Sequence, residues 1–281
     1  MIVQHCSRIA PSAEQRSIPV TGRIDTTRPH PARVYDWFLG GKDNYPVDEE
    51  LGRQITAMQG DAPRHARANR RFMEKATRVV LRETEIRQFL DIGSGIPTEP
   101  NLHQVAQSVA PEARVVYVDN DPIVLAHAAA LLHGTPGGVT HYVQADAREP
   151  ERILEEAASV LDFEQPVALS LIALLHFIAD EDGAHDLVDT LVGALAPGSS
   201  LALSALTADF DPENVRRGIE AYTASGVTLA ARSHAEVGRL FKGLDLLEPG
   251  IVSLSDWHPV EGEQAEGDGP VSLYGAVGVK H

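Results

Sequence analysis

The period of apolar and polar positions changes near residue 85. Between residues 31 and 84, apolar side chains recur every three or four positions in the segments 31–39, 47–58 and 62–84. This is the period of an amphipathic helix. From residue 87 onward, short apolar runs alternate with stretches of helical period. The alternation predicts βαβ units, in which a parallel sheet is covered by helices on both faces.

Five apolar runs are predicted strands of this sheet, at residues 87–93, 113–119, 138–146, 166–174 and 199–206. Helices are predicted to follow them at 101–109, 122–132, 151–160, 184–195 and 212–223. Two more strand candidates, 244–254 and 270–280, are joined by an acidic, glycine-rich segment at 258–269 that shows no helical pattern. Because no crossover helix separates these last two strands, we expect them to pair antiparallel.

The pattern divides the chain into three parts. Residues 1–28 mix Pro, Ser, Thr and Arg without a sustained period, so we expect a flexible N-terminal tail. Residues 29–84 are expected to form a helical cap, interrupted by Gly40 and Gly41. Residues 85–281 are expected to form one Rossmann-like α/β domain.

Composition narrows the class of protein. The chain has 281 residues, of which 43% are hydrophobic and 23% charged, the balance of an ordinary soluble domain. No apolar stretch approaches the roughly 20 residues of a membrane-spanning helix, and the first residues lack the apolar core of a signal peptide. A single cysteine, Cys6, excludes an internal disulfide. We therefore expect a cytoplasmic protein that does not enter a membrane.

Net charge argues against nucleic acid as a ligand. The chain carries 40 Asp and Glu against 24 Lys and Arg, a formal charge of -16, which repels a phosphate backbone unless the basic residues share one face. One predicted helix does gather basic residues at three- and four-residue steps: Arg64, Arg67, Arg71, Lys75, Arg78 and Arg82. This stripe is either a solvated helix face or a docking surface for an acidic substrate or partner. Oligomeric state is not predicted by the sequence.

The chemistry is expected where the predicted strands end, because ligands of open α/β sheets bind at the carboxyl ends of strands. The first strand runs into Asp91, Gly93, Ser94 and Gly95. The two glycines let the backbone turn sharply and approach a ligand, while Asp91 is placed to hold the loop or to meet a cationic amine. Taken alone, the motif also fits a tight strand-to-helix turn without a ligand.

Carboxylates end the next two strands. Asp119, with Asn120 beside it, follows the glycine loop. Nucleotide-binding folds place the acid that holds the ribose hydroxyls roughly 20 residues after such a loop, so Asp119 is the candidate for this role. Asp121 precedes a proline and is expected instead to cap the next helix. Asp146, after the third strand, can accept a hydrogen bond from an adenine amino group, while the backbone amide of Ala147 meets a ring nitrogen.

The glycine loop also separates the candidate cofactors. A dinucleotide fingerprint requires a third glycine at position 98, but the residue there is Thr98, preceded by Pro97. The loop therefore does not suit the binding of a pyrophosphate. S-adenosylmethionine has no phosphate, and it needs glycine backbone, an acid for the ribose and an acid for the adenine. The residues therefore favour S-adenosylmethionine over a nicotinamide nucleotide.

Five stretches carry a family resemblance: residues 33–45, 69–70, FLDIGSGIPT at 89–98, VVYVDNDPIVLAHA at 115–128 and LLHFIAD at 174–180. On these stretches the chain, from Arg28 onward, resembles a bacterial family of S-adenosyl methyltransferases long catalogued as a domain of unknown function. The resemblance implies a class I methyltransferase fold with a seven-stranded, mostly parallel sheet whose last strand is antiparallel. It implies the cofactor S-adenosylmethionine but no particular acceptor.

Three more residues complete the candidate site. Asn44, in a polar run after two glycines, is expected to close over the methionine end of the donor, with a plain helix C-cap as the alternative. Arg70 leaves the basic stripe and is expected to bind the donor carboxylate, or else to form a buried structural ion pair. His176 follows the fourth strand, where it is expected to stack or act as a catalytic base, or else to be a core or capping histidine. No metal site is predicted.

The sequence thus predicts an S-adenosylmethionine-dependent methyltransferase that acts on an unidentified small-molecule acceptor. The donor is already activated, so the protein mainly has to align the reacting atoms and exclude water. Two other functions stay open at this point. One is a protein that binds the donor without catalysis, and the other is a nicotinamide-dependent oxidoreductase.

Overall fold

The fold is taken from a computed structural model, which describes residues 24–59, 61–131, 134–258 and 269–281. Most of the predicted tail, with Cys6, lies outside the described residues, as does most of the acidic segment at 258–269. Among the described helices, none combines the length and the apolar character needed to cross a membrane.

Three helices precede the sheet: α1 (Pro31–Phe38), α2 (Pro46–Gln59) and α3 (Ala62–Glu83). Proline lies in the first turn of α1 and α3, where its missing N–H breaks no helical hydrogen bond. The first two helices pack around Val34, Leu51 and Ile55. In contrast, α3 places Phe72 and Ala76 against one face of the sheet, so this helix joins the cap region to the main core.

Within the described residues the sheet contains eight strands: β1 (Gln88–Ile92), β2 (Arg114–Asp119), β3 (Val139–Gln144), β4 (Ala168–Ile172), β5 (Ser200–Leu206), β6 (Leu244–Leu246), β7 (Val252–Ser253) and β8 (Leu273–Lys280). Their order is β3-β2-β1-β4-β5-β8-β6, with β7 paired to β8. The first five strands are parallel. The last strand is antiparallel to each of its neighbours, which confirms the predicted mostly parallel sheet with an antiparallel last strand.

Among the described residues, six further helices follow: α4 (Leu102–Val109), α5 (Pro122–Leu131), α6 (Pro150–Ala157), α7 (Ala184–Ala194), α8 (Pro212–Ala224) and α9 (His234–Leu240). All of them cover the sheet except α8, which packs against α2. Neighbouring strand residues point to opposite faces. Leu90 packs toward Leu187 and Leu191 of α7, whereas Phe89 packs toward Phe72 of α3. Both faces are therefore buried, which explains why the strands are almost entirely apolar.

Two features of the predicted pattern differ from the structure. The segment predicted as one strand at 244–254 forms two short strands, because the chain turns at Gly250, whose φ is +81°. This raises the strand number from seven to eight. The helix α9, which begins with a capping box between Ser233 and Glu236, was not among the predicted elements.

The strand order reverses at β1, which has β2 on one side and β4 on the other. At such a switch point the loops that follow the strands separate and leave a crevice. The loops after β1, β2, β3 and β4 meet there, and α1 lies across them.

Candidate functional site

A first cavity of about 240 Å³ opens at the carboxyl ends of β1 to β4. Eight of the predicted site residues line it: Gly93, Ser94, Gly95, Asp119, Asn120, Asp146, Ala147 and Arg70. Residues of α1 and of the turn after β4 complete the wall. Asn44 and His176 are not among the described residues that line this cavity.

The glycine loop forms one side of the first cavity. Both Gly93 (φ +75°) and Gly95 (φ +66°) have the left-handed backbone conformation that side chains disfavour. A Cβ on Gly93 would lie 2.7 Å from the Cδ1 atom of Leu174, so this glycine lets the loop pack against the turn after β4. A Cβ on Gly95 would meet nothing within 4 Å, so the second glycine borders open space. The loop thus leaves room where a ligand can lie against its backbone.

Asp119 is held rigidly at the cavity wall. Its Oδ2 atom accepts a hydrogen bond of 2.8 Å from the Gly95 amide, and its Oδ1 atom accepts one of 3.0 Å from the Asp121 amide. The residue is only 7% exposed, and burial raises the pKa of its carboxyl. A carboxylate oxygen can accept two hydrogen bonds, so each oxygen of Asp119 can still accept one more. A pair of sugar hydroxyls would supply the donors that this buried carboxylate favours.

A second acid, Asp91, lies half-buried on the same wall, and burial raises the pKa of its carboxyl to about 6. The nearby charge of Arg70 opposes this rise, whereas Asp119 adds to it. Arg70 donates from Nη2 to the carbonyl oxygens of Thr98 and Pro100, each at 2.6 Å. The arginine therefore fixes the loop after β1 and brings positive charge to the cavity.

Asp146 lies at the opposite end of the first cavity, after β3. Its Oδ1 atom accepts hydrogen bonds from the backbone amide of Arg148, at 2.9 Å, and from the guanidinium of the same residue, at 3.3 Å. These bonds fix the carboxylate beside the buried Ala147. The arrangement places a carboxylate that accepts hydrogen bonds next to the backbone amide of Ala147, and recognition of an adenine edge requires both.

Asp121 has a larger structural role than the predicted helix cap. Its Oδ1 atom accepts from the Ile123 amide at 3.1 Å, which is the capping contact. Its Oδ2 atom also accepts from Nε of Arg33 at 2.8 Å, and Arg33 lies 3.6 Å from Asp48. All three charged side chains are buried. This ion-pair cluster, which the sequence analysis missed, ties α1 to the end of β2.

Asn44 is not among the described residues that line the first cavity, and its contact with the donor stays a prediction. Its side-chain amide donates to Oδ2 of Asp36 at 2.8 Å and to the Gly41 carbonyl at 3.1 Å. Gly40, with φ +80°, ends α1 in the left-handed conformation typical of a helix C-cap. In the structure the polar run therefore closes the turn after α1.

A second cavity of about 90 Å³ lies beside the first, with which it shares Pro31, Tyr35, Asn69, Ala173 and Phe177. The rest of its wall comes from α1, α2, α3, α8, β5, β8 and the connecting segments, and consists of Phe38, Ile55, Ala62, His65, Ala66, His176, Leu206, Gly218, Tyr222, Leu229 and Leu273. The structure thus places His176 in the second cavity. No sequence motif pointed to this cavity, because its wall is assembled from so many elements.

A polar network forms part of the boundary between the two cavities. The Ser204 hydroxyl donates to Oδ1 of Asn69 at 2.5 Å, and the Asn69 amide donates to the Tyr35 hydroxyl at 3.1 Å. Ser204 also accepts from the Ala173 amide at 2.9 Å. Ala173 has a φ of +55°, a strained conformation for a residue with a side chain. The network holds this strained turn in place after β4.

His176 is fixed by the segment before α9. Its carbonyl accepts from the Ala230 amide at 2.7 Å, and Arg232 donates to the carbonyls of Leu175 and Ile178 at 2.7 and 2.8 Å. His176 is 7% exposed, and within the part of the chain that the structure describes its Nδ1 atom has no hydrogen-bond partner. Burial, with the nearby charge of Arg232, lowers the pKa of His176 to about 3. The ring is therefore neutral near neutral pH.

The strand order defines a class I methyltransferase fold, and the first cavity lies at its switch point. The chain belongs to the S-adenosyl methyltransferase family, because the model of that family matches residues 18–281. It is an S-adenosylmethionine-dependent methyltransferase, and its acceptor is not identified. Family membership thus decides against the nicotinamide-dependent oxidoreductase.

Two solved structures show the same fold at substantial sequence identity. A DUF574 family protein from Streptomyces avermitilis is 49% identical, with a TM-score of 0.87, and the match covers 92% of this chain and 100% of that chain. A structure from Thermobifida fusca is 37% identical, with a TM-score of 0.84, and the match covers 91% of this chain and 96% of that chain. A search of curated proteins finds no match.

Proposed function

We propose that the first cavity binds S-adenosylmethionine and that the second binds a small-molecule methyl acceptor. The observation that carries this proposal is that the two cavities are adjacent and chemically different. The larger one is lined by Arg70, Asp91, Asp119 and Asp146, whereas the smaller one is mainly apolar. A methyl transfer needs such an arrangement, because donor and acceptor must lie side by side with water excluded.

The residues of the first cavity fit the parts of the donor. The open space at Gly95 and the fixed carboxylate of Asp119 suit a ribose, and Ser94 and Asn120 border the same region. Asp146 and Ala147 suit the adenine. Arg70 and Asp91 bring one positive and one negative charge to the wall, which suits the carboxylate and the ammonium of the methionine portion.

S-adenosylmethionine supplies a methyl group on a positively charged sulfur when it is bound. The acceptor's lone pair forms the new bond to the methyl carbon while the carbon–sulfur bond breaks, and that bonding pair passes to the sulfur. The protein's part is to orient the two partners and to exclude water. His176 lies on the acceptor side, and because its pKa is lowered to about 3 the neutral ring is a weak base. We infer that it orients the acceptor by a hydrogen bond, while the proton that the acceptor loses passes to solvent.

Transfer to a small acceptor is tested with S-adenosylmethionine that carries an isotope-labelled methyl group. The protein is incubated with this donor and a small-molecule extract of Streptomyces avermitilis, the source of the 49% identical structure. We expect label in a compound other than the donor that passes an ultrafiltration membrane. Label found only in the retained macromolecules would contradict the small-molecule part of the proposal.

The second cavity is tested with a matched pair of variants. Leu229 is half-buried and lines the second cavity but not the first, so Leu229→Trp should fill it. Thr228 is exposed in the same segment and lines neither cavity, so Thr228→Trp is the control. We expect Leu229→Trp alone to lose labelling while both variants keep their affinity for S-adenosylhomocysteine. Undiminished labelling by Leu229→Trp would place the acceptor elsewhere.

A further inference from the structure

We propose that the methyl acceptor is an uncharged, mainly apolar molecule with one hydroxyl or similar hydrogen-bond donor that meets His176. This inference rests on the proposed function, because it takes the second cavity to be the acceptor site. It adds the chemical class of the acceptor, which the family does not supply.

The wall of the second cavity excludes a charged ligand. Among the described residues that line it there is no Asp, Glu, Lys or Arg. An ion that leaves water for such a site loses its hydration and gains no partner of opposite charge. The adjoining first cavity shows the contrast, because five Asp and Arg side chains line it: Arg70, Asp91, Asp119, Asp146 and Arg148.

The ionisable groups of the second cavity are also neutral. Burial lowers the pKa of His65 to about 4 and that of His176 to about 3. Burial raises the pKa of the Tyr35 and Tyr222 hydroxyls, which are neutral at their ordinary values already. At neutral pH the described wall therefore presents no full charge to a ligand.

His176 provides a polar contact in this mainly apolar wall. Among the described residues, its Nδ1 atom is enclosed without a hydrogen-bond partner, so Nε2 is the ring nitrogen left to meet a ligand. A neutral imidazole has one nitrogen that donates and one that accepts, so the ring can receive a hydrogen bond from a hydroxyl. Tyr35 and Asn69 already bond within the wall, to Ala66 and Ser204. The acceptor's polar group is therefore expected at His176.

Two pairs of para-substituted phenols of matched shape test the absence of charge. The first pair is ethylphenol, which is neutral, and aminomethylphenol, which is a cation. The second pair is hydroxyacetophenone, which is neutral, and hydroxybenzoate, which is an anion. Binding is measured by calorimetry with saturating S-adenosylhomocysteine. We expect the neutral member of each pair to bind at least about tenfold more tightly, or about 1.4 kcal/mol.

The variants used above locate the binding. Leu229→Trp should remove the binding of ethylphenol, and Thr228→Trp should leave it unchanged. Equal or tighter binding of a charged member, no binding of either neutral member, or binding that survives Leu229→Trp would overturn the proposal.

The contact with His176 is tested by comparing para-ethylphenol with para-ethyltoluene, which has a methyl group in place of the hydroxyl. We expect His176→Phe to reduce the preference for the phenol by about threefold to tenfold, the effect of one hydrogen bond. An unchanged preference would remove His176 from the inference. Suppose that the neutral phenols bind as expected but the Leu229→Trp variant still transfers label to the extract fully. The second cavity then prefers uncharged ligands, as proposed, but it is not the acceptor site.

Discussion

Replacing Asp121 with Asn tests the buried ion pair that holds α1 beside the first cavity. The Asp121 side chain is 1% exposed and accepts from Nε of Arg33 at 2.8 Å, and the Arg33 side chain is 4% exposed. Asn at this position keeps the shape and still caps α5, but it removes the negative charge. Among the described residues, Arg33 then retains Asp48, at 3.6 Å, as its ion-pair partner.

The expected magnitude follows from this geometry. Breaking a buried ion pair by removing one partner destabilises a protein by about 3–5 kcal/mol, because a charge stays buried without compensation. Since Asp48 remains nearby, we expect the lower end, about 3 kcal/mol. For a protein of this size this lowers the melting temperature by roughly 6–12 °C. Capping alone, the role predicted from the sequence, would give only about 1 kcal/mol even for Asp121→Ala.

The assay is equilibrium unfolding in urea, followed by circular dichroism. The control is Asp61→Asn, because Asp61 pairs with Arg64 at 3.5 Å and its side chain is 57% exposed, so its loss should change the unfolding free energy by less than about 0.5 kcal/mol. Arg33→Met and the double variant complete a cycle. The double variant should be more stable than the sum of the single losses implies. A loss below about 1 kcal/mol for Asp121→Asn, or additive losses, would refute the reasoning.

Three other variants test the remaining site assignments. Asp119→Ala should weaken S-adenosylhomocysteine binding about tenfold or more in calorimetry, since a hydrogen bond to a charged group contributes about 1.5–3 kcal/mol, and nicotinamide nucleotides should give no heat; unchanged affinity would move the ribose site. Asn44→Ala should lower the unfolding free energy by about 1–2 kcal/mol without changing that affinity, because its two hydrogen bonds lie in the turn after α1; weaker donor binding at unchanged stability would return Asn44 to the donor site. His176→Asn should flatten the pH dependence of the unfolding midpoint. The native pKa of His176 is lowered from 6.5 to about 3, so between those pH values the unfolded state binds a proton that the native state does not, and the native protein loses stability as the pH falls. An equal fall for both proteins between pH 6.5 and about pH 4 would show that the native ring is protonated there.

Most of the architecture was predictable because its signals are local. Each of the first five strands is a short apolar run bounded by turn residues, and the intervening helices carry a clear period. The misses are short elements. α9 contributes only Val237 and Leu240 as buried side chains, too few for a period, although its Ser233 and Glu236 capping box was a usable signal. Pro249 and Gly250 marked the break between β6 and β7.

The first cavity was predictable from topology, since the carboxyl ends of neighbouring parallel strands must meet. What the sequence could not supply is contact between distant segments. Arg33 and Asp121 are 88 positions apart, and no local pattern links them. Asn44 was assigned to the donor from its polar neighbours; the structure adds a hydrogen bond from its amide to Asp36 in the last turn of α1, and the contact with the donor stays a prediction.

The position of β8 in the chain sets the order in which the sheet can be assembled. The strand that pairs along the whole of β5 and also binds β6 is synthesised after the seven strands that precede it. Until then, the nascent sheet presents the outer edge of β5 as an open row of backbone donors and acceptors. Such an edge can recruit a neighbouring nascent chain, and polysomes hold many copies close together. Slow emergence of the final segment should therefore favour aggregation, and chaperones that cover strand edges should improve the yield of folded enzyme.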